Sequence, residues 1–172
     1  ATGSSSFELS NQVNEPLTGR KTVFKLYPLT FEELNRNATF VESQRNLIRV
    51  LRFGLYPSVI LNDDKQAQEN LYEITSSYLF KDILEFQHLK KPEILLGLLK
   101  LLAFQLSSEV SYTELGGKLK VDQTVVQRYI QLLEDNFVIF RLPALKKNLR
   151  NEIGKSRKIY FWDLGIRNAV IQ

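Results

Sequence analysis

Glu109 to Leu142 reads EVSYTELGGKLKVDQTVVQRYIQLLEDNFVIFRL, and the fold turns on this stretch. Val110 to Tyr112 forms a short extended piece. Leu115 and Leu119 stand four apart, so a short helix over Thr113–Leu119 places both on one face. Val121 and Asp122 make the turn, and an Asp at that point caps the next helix. The second helix runs from Gln123 to about Asp135, with Val126, Tyr129, Ile130 and Leu133 as its inward stripe. Two helices joined by so short a turn form a helix-turn-helix. The β-rich FVIFRL from Phe137 follows, with Pro143 at its far end. Lys158–Trp162 is expected to return as a second strand. Helix, strand, helix, helix, hairpin is the order of a winged helix domain.

The outer side of the second helix is left with Gln123, Thr124, Gln127, Arg128 and Gln131. These side-chain types read base edges when such a helix lies in a major groove. Between Arg141 and Lys158 stand seven basic residues and one acid, Glu152. Lys146, Lys147, Arg150, Lys155 and Arg157 are the candidate phosphate contacts of the wing. Neutralised phosphates release counterions, so such contacts give salt-sensitive affinity. The competing reading is a protein-docking or self-association module, because one positive charge on the reading helix is thin for DNA. Double-stranded DNA and a protein partner both stay open.

Outward from this stretch, Pro92 opens a helix from Glu93 to Ser107 that is apolar nearly all round, as a buried helix is. Upstream, Asp64 to about Leu89 reads as a long helix with the stripe Leu71, Ile74, Tyr78, Leu79, Ile83 and Phe86. Leu47, Ile48, Leu51 and Leu55 form the stripe of an earlier helix that Gly54 and Pro57 end. Thr30 with Glu33 predicts a capping box. Thr22–Tyr27 alternates and is β-rich, which predicts a strand. Phe7–Val13 reads as a short helix. Three segments result: 1–40, 41–91 and 92–172, with the sharpest boundary at Lys90-Lys91-Pro92.

Composition narrows the chemistry. The 172 residues include no cysteine and one histidine, His88, so thiolate metal sites and disulfides are excluded and a zinc site has almost no nitrogen ligands. No metal site is expected. No apolar run approaches the roughly 20 residues of a membrane span. The N-terminus lacks a secretory apolar region, which makes a cytoplasmic address the expectation. Charge is uneven: residues 1–90 carry 10 basic and 11 acidic side chains, and residues 91–172 carry 13 and 8. The second half is the one suited to a polyanion.

With those residues in place, the chain resembles the prokaryotic AAA-type ATPases that carry a C-terminal domain of unknown function. ATGSSSFELS, EPLTGRK, LYPLTFEEL, RFGLYPSVI, SSYLFKDIL, the helix-turn-helix stretch and KIYFWDLGIRNA carry the resemblance, in that order. It implies a mainly α chain with small β elements: the edge of an α/β ATPase core, lid helices, then the winged helix. It implies that Thr2, and after it Ser4, sense the γ-phosphate. It implies that Arg20 is a phosphate contact or an arginine finger. The chain contains no G-x-x-x-x-G-K-[ST] loop and no apolar strand ending in the acidic pair that holds magnesium. ATP and Mg are therefore expected of a longer parent, and neither binding nor hydrolysis of this piece alone. The smaller constellations have structural readings. Glu32 and Glu33 favour a helix start, Arg45, Arg49 and Arg52 a solvated helix face, and Gly116-Gly117 the loosening or end of a helix. Asp163-Leu164-Gly165 resembles a kinase metal motif without its partners.

Overall fold

The computed structural model describes residues 22, 24–76, 92–142 and 157–172. It is mainly helical, with one small antiparallel sheet. The elements in order are α1 (Phe31–Leu34), α2 (Phe40–Phe53), α3 (Pro57–Ile60), α4 (Asp64–Glu73), α5 (Pro92–Phe104), β1 (Glu109–Val110), α6 (Tyr112–Leu119), α7 (Gln123–Asp135), β2 (Ile139–Leu142), β3 (Arg157–Phe161) and α8 (Leu164–Ile171).

Local chemistry explains the helix starts. Thr30 and Thr39 each accept from the amide three residues on, and Glu33 and Glu42 reach back to the cap amides. These bonds favour the charged carboxylates and hold both glutamates below their ordinary pKa. Asp63, Ser111 and Asp163 cap α4, α6 and α8 by accepting from the amide three residues on, and Asp122 caps α7 by accepting from the Thr124 amide two residues on. Between α6 and α7, Lys120 adopts the left-handed conformation that ends a helix, and the Val121 amide bonds back to the Gly116 carbonyl.

The sheet order is β1-β3-β2. Phe161 pairs with Ile139 and Ile159 with Arg141 on the face turned to the helices, while Tyr160 stacks on Phe140 on the other. The core gathers Leu95, Leu98, Leu99 and Leu102 of α5 with Leu115 of α6, Val126, Ile130 and Leu133 of α7, and Ile159 of β3. Phe53, Val59, Ala67 and Leu71 join the same cluster, so α2 to α4 share one apolar interior with the later elements.

Three readings need correction. Thr22 and Phe24–Tyr27 form no strand: the stretch pairs with no other among the described residues, and Tyr27 stacks instead on Trp162 at 4.5 Å. The stripe Leu47, Ile48, Leu51 does not face the core; these three side chains are exposed, and Val50 and Phe53 are the buried ones. Gly116 and Gly117 lie inside α6 and do not end it, since the helix runs on to Leu119. A Cβ on Gly116 would stand 2.7 Å from the Val121 carbonyl oxygen, so this glycine lets the turn close onto the helix. Several bounds also move: α5 runs Pro92–Phe104, β1 Glu109–Val110, α6 starts at Tyr112, β2 starts at Ile139, and β3 runs Arg157–Phe161. The expected helix over 7–13, and the long helix beyond residue 76, lie outside the described residues.

Candidate nucleic-acid interface

Helix α7 buries Val126, Tyr129, Ile130, Leu132 and Leu133. That packing turns Gln123, Thr124, Gln127, Arg128 and Gln131 to the outside, and all five are exposed. Their availability differs. The Thr124 hydroxyl donates to Asp122 Oδ1 at 2.7 Å, inside the cap. Gln123 Oε1 accepts from the Thr113 hydroxyl at 3.1 Å, which bridges the two helices. Gln131 donates to Asp135 and accepts from the Arg141 guanidinium. Gln127 and Arg128 are the members of this face whose side chains have no such tie among the described residues.

Arg141 opens the basic run in the sequence, yet it is held by structure. Its guanidinium pairs with Glu134 and reaches Gln131, so it fastens β2 to α7. Arg157 is half-buried at the start of β3, opposite Val110. Lys146, Lys147, Arg150 and Lys155 lie outside the described residues, as do Thr2, Ser4 and Arg20. Among the described residues no group of three or more His, Asp or Glu side chains could hold a metal ion. No helix among them is long and apolar enough to cross a membrane.

A second constellation was read in the sequence only as a rejected metal motif. Asp163 is 4% exposed, and its carboxylate joins two distant parts of the chain. Oδ2 accepts from the Leu55 amide at 2.6 Å and Oδ1 from the Ile166 amide at 3.1 Å. Burial pushes this carboxyl above the usual range, while the amides of Leu55, Ile166 and Gly165 pull it down. Gly54 and Gly165 make the joint possible. A Cβ on Gly54 would stand 2.0 Å from Asp163 Oδ1, and one on Gly165 would stand 2.0 Å from the Phe53 carbonyl oxygen. Two residues further, Arg167 donates to the Ala103 carbonyl at 3.0 Å, and Asn168 donates to those of Leu51 and Arg52 at 2.9 Å each. The start of α8 thereby caps the C-terminal ends of α5 and α2, whose last carbonyls have no partner inside their own helix. RFGLYPSVI and KIYFWDLGIRNA meet at one joint. Their separation in sequence concealed this joint.

Arg49 and Arg52 also have structural work. Both pair with Asp64, and both lie over the Phe53 ring, at 5.2 and 4.6 Å from its centre. They hold the α3–α4 connection against α2.

A family model described as "Domain of unknown function (DUF8612)" matches residues 44–172. The chain belongs to this family. A model described as "AAA domain" matches residues 1–35, immediately before it. An uncharacterized protein of Haemophilus influenzae is 27% identical over 180 residues, covering 99% of this chain and 45% of the relative. The uncharacterized protein MJ1544 of Methanocaldococcus jannaschii is 26% identical over 158 residues, covering 82% of this chain and 36% of the relative. The chain thus spans less than half the length of both. No solved structure matches.

Proposed function

We propose that the chain is the DNA-contacting part of an ATP-dependent molecular switch, with residues 92–172 acting as a winged helix. The observation that carries this reading is the placement of α7. Its stripe Val126, Tyr129, Ile130 and Leu133 is buried, and Gln123, Thr124, Gln127, Arg128 and Gln131 are exposed on the other side. The elements α5, β1, α6, α7, β2 and β3 follow the winged-helix order, and β3 lies between β1 and β2 as the return strand of a wing. Arg128 and Gln127 would meet base edges, and the basic residues 146–158 would meet phosphates. The ATP part rests on the AAA match at residues 1–35. In the complete gene product Thr2 and Ser4 would face the γ-phosphate, Arg20 would contact phosphate, and ATP with Mg would be the cofactors.

Fluorescence anisotropy with a labelled random-sequence duplex tests the DNA reading. Micromolar binding that weakens steeply with salt is expected, and changing Arg128, Lys146 and Lys147 to Glu should abolish it. No binding at low salt would refute it. The second reading, a protein-docking or self-association surface, is favoured by the internal ties of Gln123, Thr124 and Gln131. It requires a mass that rises with concentration and is indifferent to the charge reversals.

A further inference from the structure

Helix α2 has two apolar faces. With 100° between successive residues, Val50 and Phe53 fall on the side that meets the core. Phe40, Val41, Leu47, Ile48 and Leu51 fall within about 120° on another side. Those five are exposed, from 42% for Leu47 to 79% for Phe40. Only Gln44 interrupts the stripe. Together they present on the order of 600 Å² of apolar side chain, at the upper end of what a monomer leaves uncovered.

We propose that this stripe is the seat of the AAA domain in the complete gene product, so that α2 joins the nucleotide-binding part to the DUF8612 unit. This rests on the ATPase reading above for the identity of the occupant. Three observations select it over a second copy of the chain. The AAA match ends at residue 35, and α2 begins at Phe40, so the two are tethered by a few residues. The matched stretch is pinned beside α2: the Leu29 amide donates to the Leu55 carbonyl at 3.1 Å, and Asn46 donates to Asn35 Oδ1 at 2.9 Å. Within the same stretch, Phe24 and Leu26 are also turned to solvent, while Lys25 and Tyr27 between and after them lie on Phe137 and Trp162.

The 172 residues hold no cysteine, which makes the test direct. Ile48→Cys is labelled with a maleimide in this chain and in the complete gene product, with modification read at position 48 by peptide mapping. Gln127→Cys serves as the exposed control. The seat predicts fast labelling at 48 in this chain and labelling at least tenfold slower in the complete product, at every protein concentration, with the control unchanged. Equal rates in the two would overturn the proposal. So would protection that fades on dilution, which would assign the stripe to a second copy. ATP binding is measured on the same samples. Protection without ATP binding would support a seated domain and refute the ATP reading alone, whereas ATP binding without protection would refute the seat alone.

Discussion

Gly116 and Gly117 are adjacent in α6, yet their surroundings give opposite expectations. A side chain on Gly117 meets nothing within 4 Å, so Gly117→Ala removes only the entropic penalty of glycine in a helix and should stabilise the chain by about 0.5–1 kcal/mol. Gly116→Ala places a methyl against the Val121 carbonyl and should cost about 1–3 kcal/mol. Paired urea denaturation curves check the signs. Asp163 admits a test of charge as well as of stability. Its folded pKa is raised by burial, so the native state binds the proton more readily than the unfolded chain. The contribution of this group is therefore fully favourable below its unfolded pKa and is lost as pH rises through the folded value. Asp163→Asn should flatten that part of the stability–pH curve. It should also cost about 1–3 kcal/mol, because an amide supplies only one acceptor oxygen for the backbone amides that meet the carboxylate. Thermal melts across the acid range report both.

The scale of the element separates the faces of α2. Phe53 is buried in the shared core, and Phe53→Ala should cost about 3–4 kcal/mol. Leu51 is half-exposed, and Leu51→Ser should change the stability of this chain by less than about 0.5 kcal/mol. Denaturation of the two variants side by side distinguishes a core face from a docking face. Helix α7 shows the contrary case, where sequence and packing agree: one stripe is apolar and one surface receives it. Arg141 shows how an element is registered. Its bond to Glu134 fastens a strand to the helix before it, and a basic residue in a basic run is thereby withdrawn from the phosphate contacts.

At the scale of the whole molecule, α8 ties the first and last parts of the described chain. Asp163, Arg167 and Asn168 reach Leu55, Ala103 and the end of α2 within six residues of one another. If the proposed AAA domain moves α2, these bonds carry the movement to α8. The DNA-binding experiment belongs to this scale, because it asks whether such a movement has a nucleic acid at its far end. A steep salt dependence with loss on charge reversal is the expected outcome.

Much of this architecture was legible from residue order. The bounds of α7, the caps of α1 and α7, the burial of α5 and the return of β3 follow from periodicity and from side chains acting on their own neighbours. The exposed set of α7 followed from the same period. Three features were decided by the tertiary structure alone. The stripe of α2 was misassigned because helical spacing identifies an apolar face but not what covers it; Phe53 meets the core because α4 and α8 pack on its side. Thr22–Tyr27 carried strand propensity, but a strand exists only with a partner, and Trp162 offered a ring and no ladder of amides. The Asp163 joint links positions more than a hundred residues apart. No local pattern encodes which distant amide a carboxylate will meet, and the two glycines that admit the contact have meaning only once the elements are packed.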